Sequence, residues 1–162
     1  MTRRTRHAAC WLFILLVVLL SGCREIPVVG ELDDNAPVAL ICFETLDDGV
    51  SGVVYRRVNR FEALIGGSDK PLLVAFYQLG DDVNTRVIPV LEQMADDYRD
   101  RLSIVWIDAA REDGIAQSFG VEQLPQFTMV EGASLKRSLV GYDEQGDEKL
   151  AALIQPYMVQ GG

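Results

Sequence analysis

Asp81, Asp82 and Asn84 place three oxygen-bearing side chains within four residues of the stretch FYQLGDDVNTRVIPVLEQMA, residues 76–95. The stretch leaves an apolar run, crosses a polar turn and enters an amphipathic pattern, so the acids stand where a strand passes into a helix. Carboxylates there can cap the helix by accepting from free backbone N–H groups, worth roughly 1 kcal/mol, and their charge suits the positive helix end. They can also hold a hard cation. Ca²⁺, however, takes about six to eight oxygens and the D-x-D-x-D-G spacing is missing, so no metal and no other cofactor is expected. The third use is a polar contact surface for a protein partner.

The nucleophiles and bases are few. The only histidine is His7, and the cysteines are Cys10, Cys23 and Cys42. Arg3, Arg4 and Arg6 precede a thirteen-residue apolar run, Ala8 to Leu20, closed by small residues. A bilayer span needs about 20 residues, so residues 1–22 read as a signal peptide. Leu20-Ser21-Gly22-Cys23 resembles the lipobox of bacterial lipoproteins, in which the cysteine is acylated and becomes the mature N-terminus. That resemblance implies export, lipid attachment through Cys23 and residence on a bacterial membrane in the cell envelope. Residues 23–37 are polar and loop-like and read as a tether, leaving 38–162 as the domain.

Loss of residues 1–22 removes three arginines and no acid, so Lys plus Arg falls from 15 to 12 against 24 Asp plus Glu, and the net charge moves from −9 to −12. Nucleic acid is excluded as a partner on that balance, because phosphates need a basic face. His7 and Cys10 leave with the signal, Cys23 goes to lipid, and Cys42 remains alone. Ser-His and Cys-His mechanisms are then impossible, as is an internal disulfide. Cys42 lies in an apolar run and is expected to be buried and inert.

The elements that must position the corner follow from periodicity. Val38 to Phe43 is a short strand, Glu44 to Gly52 is turn material, and Asn59 with Glu62 fits a capping box opening a helix over Arg60 to Ile65. Leu72 to Tyr77 is a continuous apolar strand, expected to be central and covered on both faces. Val87, Leu91, Met94, Ala95 and Tyr98 recur at helical spacing, with Pro89 inside. Leu102 to Ile107 is a strand and Glu112 to Phe119 a helix. Gln126 to Val130 and Leu135 to Val140 form a hairpin, and Leu150 to Met158 presents the apolar face of a last helix. From Leu72 onward the order is β-α-β-α-β-β-α. It implies an α/β fold: a central mixed sheet with an antiparallel hairpin at one side and helices on both faces.

The corner and the segment GVEQLPQFTMVEGASLKRSLVG resemble the thioredoxin family over about residues 55 to 158. Counted without gaps, Asp81 stands at the family's first active-site cysteine, Asp82 and Val83 at the middle pair, Asn84 at the second cysteine, and Pro89 at the helix proline. Pro125 stands at the cis-proline and Gly141 at the glycine after the hairpin. The resemblance implies a thioredoxin-like fold and a groove for an extended peptide at Gly80, Leu124, Pro125 and Gln126.

The departures bear on activity. A thioredoxin needs a thiolate at the helix start and a second cysteine to resolve the mixed disulfide. Asp81-Asp82-Val83-Asn84 supplies no sulfur, the family's buried acid is Ala75 and the aromatic residue before the motif is Gly80. The expected function is therefore a lipid-anchored, exported protein-binding or assembly module without dithiol activity and with an envelope protein as its partner. The rival is an envelope redox protein acting through Cys42 alone, or a subunit lending its fold to an oxidoreductase.

Overall fold

The computed structural model describes residues 28, 33 and 35–158, so residues 1–22, read above as a signal peptide, and Cys23 lie outside the described residues. In chain order the elements are β1 (Val38–Thr45), β2 (Ser51–Arg57), α1 (Phe61–Gly67), β3 (Leu72–Tyr77), α2 (Asn84–Asp97), β4 (Ser103–Asp108), α3 (Asp113–Ser118), β5 (Gln126–Glu131), β6 (Ser134–Val140) and α4 (Gly146–Met158). The strands form one sheet in the order β2-β1-β4-β3-β5-β6. Among the six described strands only β3 and β4 pair in parallel, joined by the crossover through α2, and the other strand pairings are antiparallel.

β3 is central and all six of its residues are buried, as its unbroken apolar run requires. Alternation divides them: Leu73, Ala75 and Tyr77 join the core under α2 and α4, while Leu72, Val74 and Phe76 face α1 and α3. On the first face Val87, Leu91, Met94, Leu150, Leu153 and Ile154 bring both long helices down on the sheet. Leu91 is fully buried, and truncating a residue so placed to alanine costs about 2–5 kcal/mol. Trp106 and Tyr77 stack at 4.2 Å between centroids, which makes both core residues.

Two local expectations fail for physical reasons. Glu44–Gly52 is not one turn: only Leu46 to Val50 turns, closed by Leu46 N–H to the Val50 carbonyl at 2.8 Å, and β2 follows. β2 is an edge strand whose outer half, Arg56 and Arg57, is exposed, so its alternation is short. Asn59 does not cap α1. Arg60 holds the cap position without a side-chain bond, and the buried Phe61 ring, 5.8 Å from that of Phe119, fixes the helix instead.

The last residues of the stretch read as a tether are bound to the domain. Ala36 is buried, the Pro37 carbonyl accepts from Asp108 N–H at 2.9 Å, and the Asn35 carbonyl accepts from Arg111 at 2.9 Å. Val28 bridges to Val53 of β2 in parallel.

Candidate functional site at the corner between β3 and α2

The corner begins at Gln78, where the chain leaves the sheet. Gly80 turns it with φ +83°, in the left-handed region that favours glycine, and a Cβ there would meet open space. Asp81 then does what an acid at a helix start can do. Its Oδ1 accepts from Val83 N–H at 3.1 Å and its carbonyl from Asn84 N–H at 3.1 Å. The Asp82 carbonyl takes both the N–H and the hydroxyl of Thr85, at 3.3 and 2.7 Å. Val83 already has helical dihedrals and no side-chain cap of its own, so the cap is supplied from two residues upstream.

Asn84 points back along the loop. Its Nδ2 donates to the Gln78 carbonyl at 2.8 Å, while its Oδ1 is buried with no hydrogen-bond partner. The Asp82 side chain is exposed. Both acids are exposed, but only the Asp81 carboxylate is hydrogen-bonded to the backbone.

Across the corner the Leu124-Pro125 peptide bond is cis, as the resemblance implies. Pro125 is buried, and its carbonyl accepts from the N–H of Gly141, itself at φ +80°, at 2.8 Å. Asp81 and Leu124 meet in one cavity of about 560 Å³, with Gln78, Ala109, Asp113 and Glu122 among its walls. Gln126, expected to flank this edge, does not. It is buried, and its Nε2 donates to the Phe119 carbonyl at 3.4 Å and to Thr128 Oγ1 at 3.3 Å. β5 is an interior strand covered on both faces, so its first side chain is buried whichever face it takes, and its amide is satisfied there.

One contact at the site is invisible in the sequence. Arg86, in the first turn of α2, donates to the Tyr142 carbonyl at 3.2 Å and lies 5.6 Å from that ring's centroid. The Tyr142 hydroxyl donates to Asp147, and burial, reinforced by that carboxylate, raises the phenol pKa. The partners are 56 residues apart, and no local pattern announces the pairing.

The one cysteine among the described residues is remote. Cys42 is level with the start of β3, since Ile41 pairs with Ile104 and Ile104 with Leu73, whereas the corner follows the end of β3. It is half-buried rather than fully buried. Its thiol donates to Glu44 at 3.2 Å, and burial together with that hydrogen bond pushes its pKa up to about 12. Glu44 is held low by Arg56, so it stays an anion and disfavours a thiolate beside it. Among the described residues no group of three or more His, Cys, Asp or Glu is placed to hold a metal ion, and no helix is long and apolar enough to cross a membrane.

Residues 52–156 match the family model described as Thioredoxin. The chain belongs to the thioredoxin family. It is 30% identical over 77 residues to Thioredoxin Y2, chloroplastic, of Arabidopsis thaliana, a match covering 48% of this chain and 46% of that protein. It is 27% identical over 106 residues to Thioredoxin-like protein slr0233 of Synechocystis, covering 65% of this chain and 96% of that one. Among solved structures it is similar to mitochondrial Thioredoxin 3 of Saccharomyces cerevisiae in its oxidized form, with a TM-score of 0.53 and 23% identity over 59% of this chain and 86% of that one. The thioredoxin fold accounts for the mixed sheet, the corner between β3 and α2 and the cis bond facing it. Within the matched region this chain carries no cysteine.

Proposed function

We propose that this thioredoxin-family protein is exported, anchored by lipid on Cys23, and uses its corner to bind a protein partner rather than to exchange disulfides. The anchor rests on the resemblance of Leu20-Ser21-Gly22-Cys23 to a lipobox, and the single observation that supports the binding half of this reading is the corner itself. Where dithiol exchange needs two thiols at a helix start, this chain has Asp81 and Asn84, each hydrogen-bonded to the loop backbone. The open ground around Gly80, the exposed Asp82 and the cavity at Leu124 leave a surface that an extended segment of an envelope protein can occupy. The rival reading, redox chemistry through Cys42, lacks support. A thiol with a pKa near 12 is almost wholly protonated at neutral pH, and it sits a strand length from the corner.

An insulin-reduction turbidity assay tests the inactive half. The mature protein should show no activity above the reductant alone, and the double variant Asp81→Cys, Asn84→Cys should form an internal disulfide and gain activity. Reductase activity in the unmodified protein would reject the proposal, and a double variant that forms no disulfide would reject the assignment of these positions.

A further inference from the structure

The two ends of the sheet differ, and the chain upstream of the domain enters from the one away from the corner. β3 and β4 run in parallel, ending at Tyr77 and Asp108, and β5 starts beside them, so the corner, the loop after Asp108 and Leu124 share one end. β1 runs the opposite way, pairing Val38 with Ile107 and Ile41 with Ile104. β2 returns beside it, with Ser51 opposite Thr45 and Arg57 opposite Ala39.

Val28 bridges to Val53, and Val53 lies opposite Phe43. Phe43 is two residues past Ile41, which places Val28 level with the residues just before β3 and β4 begin, at the end away from the corner. The bridge is parallel, so the chain at Val28 runs toward the corner end. It arrives there, with the Asn35 carbonyl held by Arg111 and the Pro37 carbonyl by Asp108.

Cys23 is five residues before Val28, and five residues of extended chain reach at most about 18 Å. From the level of Val28 to that of Tyr77 is six residues of strand, about 20 Å, before the corner loop is added. β2 and β3 are also three strand spacings apart, about 14 Å. Cys23 therefore cannot reach the corner itself while the bridge at Val28 holds, because the two displacements combine to about 24 Å. If the β2 edge lies down on the lipid, the corner stands those three spacings above it. If the opposite end lies down, the corner stands a full strand length above.

We infer that the anchor and the binding corner face opposite ways, so the corner is presented to the aqueous space. Its partner is then an extended segment of a soluble protein or ectodomain, and neither lipid nor a membrane-embedded helix. This rests on the lipid-anchored reading above.

The test uses the full-length acylated protein in vesicles of anionic phospholipid doped with nitroxide-labelled headgroups. In a Cys42→Ala background, fluorophores are placed singly at Asp47→Cys, in the exposed turn between β1 and β2, and at Asp82→Cys. Nitroxide should quench the probe at 47 at least threefold more than the probe at 82, and ten Gly-Ser residues inserted between Cys23 and Val28 should reduce the difference. Equal or stronger quenching at 82 would overturn the orientation while leaving the anchor intact, as would a difference that the insertion does not change. A wild-type protein that takes up no lipid label, like its Cys23→Ser control, would overturn the anchored reading and the orientation together.

Discussion

Arg86 and Tyr142 tie the first turn of α2 to the loop before α4: the guanidinium donates to the tyrosine carbonyl at 3.2 Å and lies over its ring at 5.6 Å. Arg86→Ala removes a charged hydrogen bond and a cation–π contact, together about 1–3 kcal/mol. The melting temperature should fall by several degrees, and amide exchange at Gly141 to Gly146 should accelerate relative to β3. Unchanged exchange in that loop would show that the clamp does not hold it.

The same ring limits what Gly146 can become. A Cβ there would lie 2.7 Å from Tyr142 Cδ2, and the bond from the tyrosine hydroxyl to Asp147 resists movement of the ring. Gly146→Ala should therefore destabilise the domain by about 1–3 kcal/mol even though alanine is the better helix former. Combined with Tyr142→Ala, the alanine should cost nothing further, as a denaturation double-mutant cycle would measure.

Cys42 supplies the pH dependence. Its thiol pKa rises from 9.0 in the unfolded chain to about 12 in the folded one, because burial and Glu44 disfavour the thiolate. Above pH 9 the unfolded chain releases the proton and the folded one keeps it, so stability falls with rising pH up to about 12. Tyr55, raised by burial and then by Glu92, and Tyr142 add slopes of the same sign. Cys42→Ala should flatten the onset of the decline near pH 9. At pH 8 the folded thiol should react with iodoacetamide about a thousandfold more slowly than the unfolded one. Rapid labelling of the folded protein would restore the single-thiol reading.

What the sequence discloses follows how local its causes are. β3 is legible because six apolar residues in a row can only be covered on both faces, and α2 because Val87, Leu91 and Met94 repeat at helical spacing. β2 is hidden because Ser51 and Gly52 look like turn residues and Arg56 and Arg57 face outward, so only Val53 to Tyr55 carries a strand signal. The cis bond after Leu124 is foreshadowed by Pro125. The inward turn of Gln126 depends on Thr128 and Phe119, and the Arg86 clamp on a residue 56 positions away.

Gln126 and Asp82 together separate stability from binding. Gln126→Arg forces a guanidinium into a position that is 4% exposed and breaks the bonds to Phe119 and Thr128, so it should lower the melting temperature strongly, by the equivalent of about 3 kcal/mol or more. Asp82→Arg replaces an exposed side chain whose carbonyl alone serves the helix start, so the melting temperature should stay within a few degrees. It reverses the charge on the open side of the corner, and a partner docking there should be lost from crosslinked membranes. Recovery of the same crosslinked proteins with Asp82→Arg as with the unmodified chain would place docking elsewhere, and the corner acids would then serve only α2.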